Sequence, residues 1–546
     1  MKTNRLIRIF MMLLDYIAMF FLRLFRPFAR RTVYPKSTLA QTTPYATEKT
    51  APAYFGIETK LEVDDVAVEA YTRKTPIAVT PEQPYTKHAG IITFRGDHLR
   101  SGAAYGSAAV KEKKLRIKWN VETGKLEKGY GKGYWTGSGW TGQPLIVRWE
   151  TAEKESMPLF PAKKEKADLA EVIYATMDGN VYFLDLEDGS STREVLQVGL
   201  PFKGAGALHP SLPILHLGPG DSGPAEEEYA RAYLYSLADG EKLLEYGGQD
   251  PFAPRKFHGF DSSPLFFDDY MLEPAENGII YSYKLNSKTD ETGKISITPT
   301  ERVKFTYTTG RSSEESYWLG MEDSAVVWQN YMYIADNGGT LFCLDLNTMK
   351  MVWAQDVVDD TNGSPVLSME EGIPYLYIGT SLHWSAGKRL KLGEVPFFKI
   401  NGITGEYVWT HHYVCCTVAG ISGGIQATPL LGKHDLEGLV IVPIARTPSV
   451  RNGIIVALDK KTGEEVWRYK LPAYAWSSSV AVYDGAGQGY ILQGDSGGML
   501  HLLAGKTGKL LDSISLGSNI EASPAVFENT LVVGTRGMKI FGVEII

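Results

Sequence analysis

At 546 residues and a net charge of −7, the chain is long enough for one large all-β domain, and its mixed charge offers no basic footprint for nucleic acid. Its 56 glycines, 30 tyrosines and 11 tryptophans point to many short strands joined by tight turns. Three cysteines are too few for a disulfide framework.

The N-terminus is expected to be a single-pass membrane anchor over residues 1–26, contacting the bilayer through 6–25, "LIRIFMMLLDYIAMFFLRLF". As a helix, residues 9–22 span about 21 Å, short of a hydrocarbon core of about 30 Å. Snorkelling of Arg8 and Arg23 extends the reach, while Asp15 is costly at the bilayer centre. An amphipathic helix lying in the interface is the alternative. Charge does not set the orientation: Lys2, Arg5 and Arg8 flank one side, and Arg23, Arg26, Arg30 and Arg31 the other. Residues 27–90, rich in Thr and Pro, read as a semi-extended linker with one strand in "TKLEVDDVAVEAYT".

The rest, residues 91–546, is a repeat. "GNVYFLDLEDG", "GTLFCLDLNTMKMVW", "PFFKINGITGEYVW", "GIIVALDKKTGEEVW" and "GMLHLLAGKTGKLL" each pair an alternating apolar strand with an Asp/Asn/Thr-Gly turn and a second strand that often ends on Trp. Eight unit starts can be counted, at residues 141–147, 204–210, 261–267, 322–328, 362–368, 426–432, 476–482 and 521–527; "TGQPLIV", "NGSPVLS", "QATPLLG" and "EASPAVF" show their common form. Eight four-stranded antiparallel blades make a β-propeller. The eighth unit lacks a fourth strand, and residues 115–124, "LRIKWNVETG", are expected to supply it and close the ring.

These units resemble the PQQ-like (pyrrolo-quinoline quinone) propeller repeat, "LYALDxxTGxxxW". That repeat is shared by quinoprotein alcohol dehydrogenases and by non-enzymatic propellers such as the outer-membrane assembly scaffold BamB. "ITFRGDHLRSGAAYG" (92–106) looks like the leading segment of membrane-anchored or secreted bacterial members. The resemblance implies a cell-membrane protein with an extracytoplasmic propeller. It specifies fold better than function.

Several motifs have plainer readings. "GDSGG" (494–498) falls on a strand–strand turn, and no histidine stands in the context of a protease base. Arg95, Asp97 and Arg100 of the "RGD" stretch are expected to pin the leading segment. Along an extended strand His411 and Cys415 lie about 13 Å apart, too far for one ion. Cys343 reads as a small buried hydrophobe.

The better site comes from aligning the residue three before each Pro-equivalent position: Thr141, Gly204, Asp261, Glu322, Asn362, Gln426, Trp476 and Glu521. These are expected at the mouth of the central channel, where all but Gly204 could bind a ligand. Asp261, Glu322 and Asn362 form a candidate Ca²⁺ set.

Two functions follow. One is a non-catalytic binding or scaffold propeller, needing no cofactor, that takes a protein, peptide or glycan at the mouth and on long loops such as 150–171, 216–232 and 380–396. The other, implied by the resemblance, is a PQQ- and Ca²⁺-dependent dehydrogenase oxidising an alcohol or sugar. There Glu322, Asn362 and Asp261 would take the Ca²⁺ and base roles, Trp476 or Trp140 the stacking role, and Cys415–Cys416 would be a vicinal-disulfide lid in the loop before the sixth start. Against the enzyme, "CCTVAGISGG" lacks the Asn-Arg-Gly element that follows the enzymes' cysteine pair and comes late in the chain. No tryptophan docking pattern repeats across all blades, and no CxxCH haem motif is present.

Overall fold

The computed structural model describes residues 29–546 except positions 37, 81–82, 130, 140–141, 224–228, 311–318, 384–389 and 419, together with Leu13 and Ile17. Among the described residues no helix is long and apolar enough to cross a membrane. The expected anchor over 1–26 lies outside them, apart from Leu13 and Ile17, which are helical and exposed.

Eight small antiparallel sheets form the blades of a propeller. Blade 1 begins at Leu145–Arg148, blade 2 at Ala207–Leu208, blade 3 at Leu265–Phe267 and blade 4 at Val326–Trp328. Blades 5 to 8 begin at Val366–Glu370, Leu430–Leu431, Val480–Tyr483 and Ala525–Phe527. Each innermost strand follows one of the eight starts read from the sequence. Leu115–Glu122 pairs antiparallel with Lys539–Ile545 and is the outermost strand of blade 8, so the two ends of the repeat share one sheet.

The repeat's turn residues have a common job. Asp185, Asp345 and Asn401 each accept a backbone N–H two residues on, and Asp459 one three residues on, bending the chain between the third and fourth strands.

The tryptophans join neighbouring blades. Trp119, Trp353, Trp409 and Trp467 donate their indole N–H to Leu186 O, Gly402 O, Lys460 O and Gly505 O of the next blade, at 2.9 to 3.1 Å. Each ring covers a turn glycine with positive φ: Gly189, Gly405, Gly463 and Gly508. A Cβ there would come within 2.3 to 2.7 Å of the ring, so the turn glycine of one unit is shaped to receive the Trp of the unit before it. Among the described residues a tryptophan docking pattern is therefore present at four junctions, not at all eight, and its two halves belong to different repeats.

The Ser/Thr of the starts stitches the channel wall. The backbone N–H of Ser263 donates to Ser324 Oγ (2.9 Å), Ser324 to Ser364 Oγ (2.7 Å) and Ser364 to Thr428 Oγ1 (3.0 Å). Thr428 continues to Ser478 Oγ (3.0 Å), Ser478 to Ser523 Oγ (3.2 Å), and Ser523 reaches Gly142 O of blade 1 at 2.8 Å.

Residues 27–90, expected as a linker, are described from residue 29 and lie against the propeller as a belt. Ala29–Val33 adds a strand to the edge of blade 5, and Glu58–Val63 adds one to the edge of blade 3. The described parts of 380–396 and the stretch around Cys415, read as loops, are largely strand: Leu390–Asn401 pairs with Tyr407–Val418 in one long hairpin. The loop 150–171 instead carries two short helices, Thr151–Ser156 and Pro161–Lys164.

Residues 89–110 run through the centre. Ala89–Ile91 pairs with blade 1, and the carbonyls of Ile92, His98, Leu99 and Ala103 accept N–H groups from blades 2, 4, 5 and 8. Arg95 donates to Ser479 O of blade 7 at 2.7 Å, while Arg100 donates to Ser263 O of blade 3 at 2.7 Å and Ala325 O of blade 4 at 2.9 Å. Blades 3 and 7 lie opposite in an eight-membered ring, so a segment that joins them crosses the axis. Both arginines are fully buried. The "RGD" stretch is thus part of a plug that bonds to blades 1 to 5, 7 and 8.

Candidate functional site

Aligned residues of blades 3 to 5 gather at the channel beside the plug. Glu322 is half-buried and is the hub. Asn337 donates to its Oε1 at 3.2 Å, and Asn362 donates to its Oε2. Asp261 is buried, 4.0 Å from the Lys203 ammonium, which also lies 3.7 Å from Asp221. Glu276 is buried 3.9 Å from Arg255. Asp360 faces His383 Nδ1 at 3.0 Å.

Electrostatics bind this group together. Burial drives the Asp261 carboxyl up to about 7, Lys203 pulling against it while Glu322 and Asp221 push with it. Glu276 is raised well above the carboxylate range by burial, then by the charges of Glu322 and Asp261. Asp360 is pushed up to about 6 by burial, with His383 opposing and Glu322 adding. Burial works against the charge of Lys203, yet Asp261, Glu276, Asp221 and Glu322 hold its pKa above the usual ammonium value.

Aromatic faces rim this side. Lys203 lies 5.6 Å from the Trp135 ring and 5.4 Å from Phe257, and Arg255 lies 5.0 Å from Phe257. Trp135 stands on a small hairpin, Lys125–Glu127 with Tyr134–Thr136, between the closing strand and blade 1.

The other expected mouth residues form a second group. Asn519 donates to Glu521 at 2.6 Å, Arg536 lies 3.7 Å from it, and burial raises its pKa against both. Trp476 packs 5.8 Å from Tyr474, whose ring lies 4.2 Å from the Arg446 guanidinium. Gln426 is buried on blade 6. Thr141 and Trp140 lie outside the described residues.

Two expectations can be set against this geometry. The Ca²⁺ set Asp261, Glu322 and Asn362 does not fit a hard cation, because amide N–H donors occupy Glu322 and an ammonium stands beside Asp261. Among the described residues no three His, Cys, Asp or Glu side chains converge as metal ligands. Cys415 and Cys416 are buried thiols not joined to each other by a disulfide. They are consecutive residues of one strand, so their side chains point to opposite faces: Cys415 packs with Val395 and Tyr413, Cys416 with Val414.

Lys203, Arg255, Glu276 and Asn337 were missed. Lys203 directly precedes the aligned Gly204, and "AENG" and "ADNG" place Glu276 and Asn337 in equivalent turns after the second strand. A register taken only on the innermost strand cannot see that turn.

Residues 451–545, from the third strand of blade 6 through the third strand of blade 8, match the family model described as outer membrane protein assembly factor BamB. No curated protein matches the chain. Among solved structures, BamB from Moraxella catarrhalis is 15% identical over 73% of this chain and 98% of its own, with a TM-score of 0.46. A europium-containing methanol dehydrogenase is 12% identical over 85% of this chain and 98% of its own, with a TM-score of 0.40. The quinohemoprotein alcohol dehydrogenase ADHIIG from Pseudomonas putida HK5 is 9% identical over 84% and 80%, also at 0.40. The chain is an eight-bladed propeller distantly related to the PQQ-like propellers.

Proposed function

We propose that this protein is a membrane-tethered, extracytoplasmic propeller that acts as a non-catalytic binding or scaffold module. Its partner, a protein, peptide or glycan, is taken at the channel mouth and the loops around it. The observation that carries this reading is the plug. Residues 89–110 cross the axis, and charged, amide and aromatic side chains from several blades gather beside them. The test is capture of cell-envelope proteins and glycans by the full chain and by a triple variant, Asp261→Ala, Glu322→Ala and Glu521→Ala. Loss of capture with an unchanged unfolding midpoint supports the mouth as the site. Undiminished capture by a folded triple variant overturns it and moves binding to the outer loops.

A further inference from the structure

The socket around Glu322 holds more acceptors than it can satisfy. Among the described residues, six carboxyl groups, Asp221, Asp261, Glu276, Glu322, Asp323 and Asp360, share it with two permanent cations, Lys203 and Arg255. They act as one electrostatic unit, because the charge of Glu322 is felt by Lys203, Asp261, Glu276, Asp323 and Asp360. Hydrogen bonding is unbalanced in the same sense. Asn337, 3% exposed, directs its amide N–H to Glu322 and leaves Oδ1 without a donor among the described residues. Asp360, also 3% exposed, leaves Oδ1 in the same state. Among the described residues, the Asp261 oxygens have the Glu276 carboxyl and, at 4.0 Å, Lys203. Buried acceptors without donors are costly, and native structures rarely keep them.

Excess negative charge and unmet acceptors call for a ligand that brings positive charge and several N–H donors together. We propose that the Glu322-centred socket binds an organic cation, an ammonium or guanidinium group such as that of a lysine or arginine side chain on an extended segment of the partner. This rests on reading the mouth as a binding site. A metal ion needs several oxygens within about 2.6 Å of one point, whereas these acceptors sit on three different blades. A guanidinium presents five N–H donors across a plane and reaches acceptors set apart. Glu322, the half-buried member, is the point of entry. Trp135 and Phe257, already beside Lys203 and Arg255, supply faces on which a further cation can rest. Binding a cation favours the ionised carboxyls, so it releases protons and strengthens as pH rises from 5.5 to 8, across the values near 6 and 7 of Asp360 and Asp261.

The test is calorimetric titration of the full chain in detergent with the acetylated, amidated peptide Gly-Gly-Arg-Gly-Gly, its citrulline counterpart, spermidine and CaCl2. The expected result is binding of the arginine peptide, at least tenfold weaker binding of the citrulline peptide, and proton release seen by comparing buffers of different ionisation enthalpy. E322Q should weaken the arginine peptide at least tenfold, while E322D, which keeps the charge, should stay within threefold of the parent and so guard against misfolding. Spermidine binding tighter than the peptide keeps the cation chemistry and assigns the source to free polyamines. Equal binding of both peptides, tighter binding of CaCl2 that displaces the arginine peptide, or no cation binding at any pH overturns the inference. If no cation binds but the triple variant still loses its partners, the mouth remains the binding site and only its assigned chemistry falls.

Discussion

Arg100 and Arg95 lie on the same plug and are equally buried, yet methionine should affect them oppositely. Burial holds each guanidinium's pKa down at about 10, a cost of ~3 kcal/mol that an apolar replacement removes. Arg100 offsets that cost with Nε to Ala325 O (2.9 Å), Nη1 to Phe94 O and Thr93 Oγ1 (both 2.8 Å), and Nη2 to Ser263 O (2.7 Å). Arg100→Met strands three carbonyls, together worth about 3–9 kcal/mol, for a net loss of up to roughly 6 kcal/mol. Arg95 makes one side-chain bond, to Ser479 O, and leaves Nε and Nη2 unpaired among the described residues. Arg95→Met should therefore be neutral to mildly stabilising. Arg100→Lys keeps the buried charge with fewer donors and should cost at least as much as Arg100→Met. Urea unfolding at constant m-value measures all three, and limited proteolysis within 92–110 reports release of the plug. Equal destabilisation by Arg95→Met and Arg100→Met would refute the reasoning, since it would mean that unmet hydrogen bonds do not decide the outcome.

Other consequences can be measured alongside. Asp261 titrates at about 7 folded and near 3.9 unfolded, so the native state holds a proton that the unfolded chain has lost. Stability should thus fall as pH rises from about 4 to 7, by up to ~1.4 kcal/mol per pH unit, and Asp261→Asn should flatten that slope in unfolding free energies taken from pH 4.5 to 8. Trp353 is fully buried and bonded to Gly402 O, so Trp353→Ala should cost about 3–5 kcal/mol and lower the thermal midpoint; a change under 1 kcal/mol would show that the junction does not hold the blades. Without reductant, intact-mass analysis should find Cys343, Cys415 and Cys416 unalkylated in the native protein and all three alkylated in denaturant. Recovery of one adduct instead of three would restore the Cys415–Cys416 disulfide.

The sequence made the architecture legible because one unit recurs with its turn intact: Asp185, Asp345, Asn401 and Asp459 sit at the same place in each, so counting starts counts blades. Junction chemistry was harder to see, since Trp353 and Gly405 are 52 positions apart and meet only when units pack. Thr and Pro enrichment in 27–90 suggested a free linker, but edge strands need only backbone donors and acceptors, which composition does not report. The strand through Cys415 and Cys416 was missed because "AGISGG" just beyond it carries the loop signal. At the site, alignment found Asp261, Glu322 and Asn362 together. It also grouped them with Trp476 and Glu521, because an aligned position says which end of a strand a residue occupies and not which neighbours it meets.

The plug also sets an order of events. Arg116 and Glu544, paired where the ring closes, are 428 residues apart. At ~5–20 residues per second a ribosome separates their appearance by roughly 20–85 s. During that interval the ring is an open arc with bare sheet edges, the state in which β-proteins pair with the wrong neighbour. The axle, however, is made before the wheel. Residues 89–110 leave the ribosome ahead of every blade, and seven of the eight blades find in them a partner already waiting. A long-range closure is thereby divided into successive dockings onto one early segment, each closing a shorter loop than the last strand alone would require.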